Sequence, residues 1–181
     1  MAWLQAIDTA LFRWVNQSLA NPVFDWLMPI LAGHALFVPA VLLAAFLILW
    51  RGGRRAWLFV LFAALAVALG DGLIVSTLKK TTARPRPCIA LPDTRLLVGR
   101  VDSGSMPSGH AANWFAATAV GFLFYRRSLR FLLPAAATIA FSRVYDGVHY
   151  PSDVVVGAAL GAGYASAGVW AADALWRRVG Q

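Results

Sequence analysis

The sequence predicts an all-α fold: a polytopic membrane bundle of about six helices, headed by an amphipathic N-terminal helix. Three observations carry that expectation. The 181 residues are 60% hydrophobic and 13% charged, where a soluble domain carries about a quarter of its residues charged. Mean hydropathy is +0.65. The apolar residues also gather in runs close to the roughly 20 positions a spanning helix requires. The chain therefore reads as one integral-membrane domain over residues 1–181, with N-terminal helices in 1–33 and the chemistry-bearing motifs in 79–153.

Taken in order, residues 3–19 put Trp3, Ile7, Leu11, Trp14, Val15 and Leu19 on one stripe, with Asp8, Arg13, Asn16 and Gln17 elsewhere. That pattern suits a helix lying at a membrane surface. No Lys or Arg precedes the first apolar residues and no small-residue cleavage site stands before Arg13, so a cleaved leader is not expected. Pro22 and Pro29 interrupt the next stretch, which fits a short interfacial helix or half of a kinked first span. His34 belongs to no motif and is expected at the interface. Full spans are expected at 35–50, 56–78, 111–125, 129–141 and 154–176. Asp71 lies within the second of these, where an ionisable group is costly; it is expected to make a structural polar contact or to support chemistry near Lys79. Residues 88–105 include Ile89, Leu91, Leu96, Leu97 and Val98, enough apolar surface for a rim or lid against lipid. Cys88 is solitary and forms no intramolecular disulfide. Gly157, Gly161 and Gly163, with Ala158, Ala159 and Ala165, give the last span a small-residue face for packing inside the bundle rather than a dimer seam. The chain is expected to act as a monomer or weak homodimer.

The net charge of +8 is not a nucleic-acid footprint, because the basic residues stand at span ends. Arg51, Arg54, Arg55, Arg126, Arg127, Arg130, Arg177 and Arg178 fall on one side, and Lys79, Lys80, Arg84, Arg86, Arg95, Arg100 and Arg143 on the other. If Lys79, Arg86 and Arg143 are reserved for an anionic ligand, the count is eight against four, and the first side is cytoplasmic by the positive-inside rule. Lys79 to Arg86-Pro87, Pro107-Ser108-Gly109-His110, and Ser142-Arg143 with His149 and Asp153 then all face outward. Alternating spans bring the three blocks to one side independently of the charge count.

Those blocks supply what phosphoryl transfer needs. Catalysis of that reaction is largely positioning plus stabilisation of charge on the phosphoryl oxygens. Arg86 and Arg143 can grip such oxygens in bidentate fashion, and Lys79 adds a point charge. Pro107 is expected to open a helix, leaving the Ser108 and Gly109 N–H groups as donors at its positive end; the Ser108 hydroxyl adds one more. The chain has no glutamate and one cysteine, and among its possible nucleophiles His149 has the fitting partner, Asp153 four residues on. Asp153 would accept from one ring nitrogen and leave the other to attack. His110 would protonate the leaving oxygen and then activate the hydrolytic water.

The three blocks resemble the signature of the type 2 phosphatidic acid phosphatase (PAP2) superfamily, which includes membrane lipid phosphatases, bacterial acid phosphatases and vanadium haloperoxidases. The resemblance runs from Lys79 to Asp153 with each motif position filled, and the short chain is similar to the bacterial integral-membrane branch. It implies an all-helical bundle that needs no metal or other cofactor. It gives Lys79, Arg86, Ser108, Gly109 and Arg143 the phosphate-binding role, and His149, His110 and Asp153 the catalytic one. It also implies removal of phosphate from a lipid phosphate or diphosphate, through a phosphohistidine intermediate, at the outer face of a bacterial cell membrane. Membrane lipids are the other expected partners, and nucleic acid is not one. Undecaprenyl diphosphate leads the substrates, followed by phosphatidylglycerophosphate, phosphatidate and lipid A 1-phosphate. Asp146 departs from the apolar residue usual in the family, and is expected to raise the imidazole pKa of His149 or to pair with Lys80. A lipid transporter would need broken helices or repeated halves that the sequence lacks. A vanadate-dependent oxidase would hold vanadium on His149, in a class of proteins that are usually much larger and soluble.

Overall fold

The computed structural model describes residues 2–179, with side chains except at 2, 34–38, 40 and 179; the expectation for His34 thus lies outside the described residues. Helix α1 (Ala2–Arg13) runs into a π turn, Trp14–Ser18. Its outer face carries Trp3, Ile7, Leu11 and Trp14, all exposed, while Asp8, Phe12 and Asn16 point inward and are buried. Val15, read from the sequence as part of the outer stripe, is buried as well. The wider π turn explains the difference, since it breaks the 3.6-residue register at Trp14.

Asn21 caps α2 (Pro22–Ala32), its side chain accepting from the Phe24 N–H at 2.9 Å, with Pro22 in the first helical position. Helices α3 (His34–Arg51) and α4 (Arg54–Leu69) meet at Gly52-Gly53. α4 continues through a second π turn, Gly70–Val75, into α5 (Ser76–Thr82). After the short α6 (Pro87–Ala90), the remaining long helices are α7 (Gly109–Phe124), α8 (Leu129–Tyr145) and α9 (Pro151–Val179). Each expected span is helical. Among the described residues, two stretches, Arg54–Ala90 and Pro151–Arg178, are long and apolar enough to cross a membrane. Leu42, Phe46, Leu61, Leu73, Val155 and Trp170 are exposed on the outside, which is a surface made for lipid rather than water.

Helix α7 stands at the centre, packed by α4, α8 and α9. The small residues of α9 face it. A Cβ on Gly157 would lie 2.4 Å from the Ser108 carbonyl oxygen, and one on Gly161 would lie 2.0 Å from that of Ala112. The small-residue face is thus spent on an internal seam, at least at these two glycines. A second cluster joins Phe12, Val15 and Met28 of the N-terminal helices to Val144, Tyr145 and Tyr150 around the third sequence block. Phe12, Tyr145 and Tyr150 are almost completely buried, each worth about 2–3 kcal/mol of apolar burial. The N-terminal segment is therefore part of the scaffold beneath the site.

Candidate active site

Local backbone geometry delivers each block to the same end of the bundle. Ala83 closes α5 in the left-handed conformation (φ 44°), which turns Arg84, Pro85 and Arg86 away from the helix axis. Arg86 is buried and its guanidinium is heavily engaged. Nε donates to the Ser103 carbonyl at 2.8 Å, Nη2 to Ser103 Oγ at 3.1 Å and to the Gly104 carbonyl at 3.3 Å, and Nη1 to the Val148 carbonyl at 3.0 Å. Nη1 also faces His149 Nε2 at 3.2 Å. The 88–105 segment is consequently a pinned rim: Arg86 holds Ser103 and Gly104, Ser105 N–H bonds the Arg84 carbonyl, and Leu97 N–H bonds the Asp146 carbonyl.

The second block differs from its expected form. Pro107 does not start the helix; Ser108 caps α7, which begins at Gly109, and accepts from the Ala111 N–H. The reason is chemical, because a serine hydroxyl satisfies a first-turn N–H that proline cannot. The Ser108 N–H is also occupied, donating to the Asp153 carbonyl at 2.9 Å, so the donors expected there reduce to the first turn of α7 from Gly109 onward. Gly109 is a point of close approach: a Cβ there would meet Asp71 Oδ1 at 2.9 Å and Lys79 Nζ at 3.4 Å. Asp71 and Lys79 line one cavity of about 280 Å³ with Val75, Ser76, Lys80, Ser103 and Gly104. Asp71 thus stands beside Lys79 in the wall of this cavity.

In the third block the chain wraps tightly behind Arg143, whose carbonyl accepts from both Val148 N–H (3.3 Å) and His149 N–H (3.2 Å). Gly147 makes the wrap possible with φ +84°; a side chain there would also strike the Arg95 carbonyl oxygen at 2.5 Å. Arg143 is buried with Nε lacking a hydrogen-bond partner, and Nη1 lies 3.8 Å from Asp146 Oδ2. Asp146 therefore neighbours Arg143 rather than Lys80. Both its carboxylate oxygens are buried without hydrogen bonds, and burial pushes its pKa up to about 7 despite the Arg143 charge.

His149 is buried, and burial pushes its pKa down to about 4; Asp153 opposes that shift, while Arg86 and Arg143 add to it. The imidazole is neutral at physiological pH. Arginine can only donate, so Nε2 opposite Arg86 carries the lone pair and the ring proton sits on Nδ1. Nδ1 faces Asp153 Oδ2 at 3.6 Å, longer than the hydrogen bond anticipated from the sequence. Asp153 is held instead by Tyr150 N–H (2.8 Å) and Arg84 Nη1 (2.6 Å). His110 occupies the second position of α7, one residue beyond Gly109.

Lys79, Arg86, Gly109, Arg143, His149 and Asp153 thus converge. Two residues that sequence reasoning did not place at the site also reach it, Arg84 and Asp8, joined at 2.6 Å. Arg84 offered a faint signal, two positions before Arg86; Asp8 offered none beyond being an acid on the polar side of an amphipathic helix.

This arrangement, with cations and a neutral imidazole around one mouth of a lipid-facing helical bundle, defines a membrane phosphatase. The model of the PAP2 superfamily matches residues 63–177, and the chain belongs to that superfamily. Among similar proteins, the lipid A 4'-phosphatase of Bacteroides thetaiotaomicron is 32% identical over 88% of this chain and 74% of its own. The putative undecaprenyl-diphosphatase YbjG of Escherichia coli K12 is 29% identical over 98% of this chain and 86% of its own. The crystal structure of Aquifex aeolicus LpxE matches with a TM-score of 0.72 at 30% identity, covering 88% of this chain and 92% of that one.

Proposed function

We propose that this protein removes a phosphate from a lipid phosphate or diphosphate at the outer face of a bacterial cell membrane, through a phosphohistidine on His149. The observation that carries this reading is the pair formed by His149 Nε2 and Arg86 Nη1 beside the unpartnered Nε of Arg143. A phosphoryl group there meets a nucleophilic lone pair and two guanidinium groups, with Lys79 across Gly109. In the first step the Nε2 lone pair forms the N–P bond, the bond from phosphorus to the lipid-side oxygen breaks, and His110 protonates that oxygen. The imidazolium that develops is stabilised by Asp153 opposite Nδ1. In the second step water attacks phosphorus, His110 takes its proton, and inorganic phosphate departs as Nε2 regains its lone pair.

Undecaprenyl diphosphate is the substrate we favour, supported by the 98% coverage of this chain by YbjG. A phosphorylated lipid A is the second reading, supported by the likeness to the Bacteroides protein. The outward orientation rests on the clustered arginines at the opposite ends of the helices. Phosphate release from undecaprenyl diphosphate, phosphatidylglycerophosphate, phosphatidate and lipid A, measured in detergent with EDTA, tests the reading. Release from the polyprenyl diphosphate at the highest kcat/KM, abolished by His149→Ala, is expected. A higher kcat/KM on lipid A would transfer the assignment to the second reading, and an active His149→Ala enzyme would overturn the mechanism.

A further inference from the structure

We infer that Asp8, on the membrane-surface helix α1, is a positioning residue of the active site, acting through Arg84 on Asp153 and so on His149. The inference rests on the reading of His149 as nucleophile. Its basis is a continuous, largely part-buried network. Asp8 Oδ1 accepts from the Ser152 N–H at 2.9 Å, and Oδ2 from Arg84 Nη2 at 2.6 Å and from the Ser152 hydroxyl. Arg84 Nη1 passes on to Asp153 Oδ1 at 2.6 Å and Ser152 Oγ at 2.7 Å, while Nη2 also reaches Gln5 Oε1 at 2.8 Å. The guanidinium lies over the Tyr150 ring at 4.1 Å, so one face and both terminal nitrogens are constrained.

The charge count gives this network a catalytic consequence. Two carboxylates share one guanidinium, so Asp8, Arg84 and Asp153 together carry a net charge of −1 at neutral pH. His149 becomes cationic when its N–P bond forms, and the surplus negative charge is then matched at Asp153 Oδ2, 3.6 Å from Nδ1. Without Asp8, Arg84 would neutralise Asp153 alone and would be free to leave the Tyr150 face. The negative charge opposite the imidazolium would fall, and the hold on Asp153 would loosen. Asp8 touches neither the phosphate-binding cations nor the Arg86–His149 contact, so its effect belongs in kcat rather than in phosphate affinity.

The geometry also ties catalysis to the membrane surface. The helix that carries Asp8 inward presents Trp3, Ile7, Leu11 and Trp14 outward, so one rigid element sits in the lipid interface and supports the nucleophile. Asn16, further along the same segment, donates to the Tyr145 carbonyl at 2.7 Å and the Arg95 carbonyl at 2.8 Å, locking α1 against the third block.

The test uses the full chain in detergent with EDTA, with farnesyl diphosphate and dioctanoyl phosphatidate as parallel probes. Asp8→Asn, Asp8→Ala, Arg84→Gln and the Asp8→Asn/Arg84→Gln double variant are compared with the wild type and with His149→Ala. Each single variant is expected to lower kcat about tenfold to a hundredfold, the usual cost of removing the outer support of a functional histidine. The competitive Ki for inorganic phosphate should stay within about threefold of wild type, and the double variant should be no slower than Arg84→Gln. Asp8→Asn keeps the side-chain volume and one acceptor oxygen for the Ser152 N–H, while its NH2 group can no longer accept from Arg84, so it removes the charge and the Arg84 bond together even where Asp8→Ala folds poorly. Wild-type kcat in Asp8→Asn beside a dead His149→Ala would overturn the inference and leave the nucleophile standing. Losses of kcat that track a lower thermal midpoint and a weaker phosphate Ki in both Asp8 variants would assign Asp8 to folding alone and also overturn it. Activity in His149→Ala, or no hydrolysis of either probe by the wild type, would instead sink the underlying reading of function.

Discussion

Two buried ionisable residues in the bend between α8 and α9 have been pushed in opposite directions on the pH scale. His149 gains a neutral imidazole from burial, and its pKa of about 4 keeps it so across physiological pH. Asp146 is pushed up to about 7, because burial without a single hydrogen bond outweighs the Arg143 charge 3.8 Å away. The two have opposite stability consequences. A depressed histidine contributes stability that is present above its unfolded value and lost as pH falls through about 4. A raised carboxyl contributes stability that is full below 3.8 and lost as pH rises through about 7. Asp146→Asn stays neutral throughout. Its thermal midpoint relative to the wild type should therefore improve between pH 5 and about pH 7 and level off above that, a gain of at most about 3 kcal/mol over those two pH units. Scanning calorimetry or a fluorescence melt in one detergent across that range checks it. A wild-type-minus-variant difference that stays flat with pH would show that Asp146 is ionised from the outset.

At the scale of elements, the α7–α9 seam fixes the spacing of the site, since Ser108, Gly109 and His110 lie on one helix and Asp153 on the other. Gly161 lets the Ala112 carbonyl approach to where a Cβ would clash at 2.0 Å. Gly161→Val should force the helices apart, costing about 1–3 kcal/mol or more and lowering the thermal midpoint by several degrees, with activity falling in step. An unchanged midpoint would mean that the seam relaxes freely. That seam was legible in the sequence, because glycines four apart on an apolar run have one economical use. The three blocks were legible for a related reason: helix length fixes which end each span delivers. Other features depended on pairings that periodicity does not carry. Asp8 meets Arg84 across 76 positions of sequence, and that contact exists only because α1 docks with its Asp8–Phe12 face inward. The start of α7 at Gly109 and the inward turn of Val15 followed from local competition, a serine cap against a proline and a π turn against an α turn, which residue type alone does not decide.

Across the whole molecule, apolar surface faces outward, Asp8 of α1 faces inward, and the three sequence blocks meet at one end. The Arg84 network, the Arg86 brace on the rim, and the close approach at Gly109 all converge on the space between Arg143 and His149. In the proposed function they preorganise a pocket in which charge is already placed where a phosphoryl group would need it. A covalent intermediate on His149 is the consequence that no alternative use of the pocket shares. The decisive measurement is acid-quench-free trapping of the enzyme with a ³²P-labelled lipid phosphate or diphosphate in the presence of EDTA, followed by peptide mapping under alkaline conditions. Label on the His149 peptide, accumulating in His110→Ala and absent in His149→Ala, is the predicted result. Phosphate release that continues with no label on His149, or that stops with EDTA and returns with Mg²⁺, would contradict the phosphohistidine mechanism.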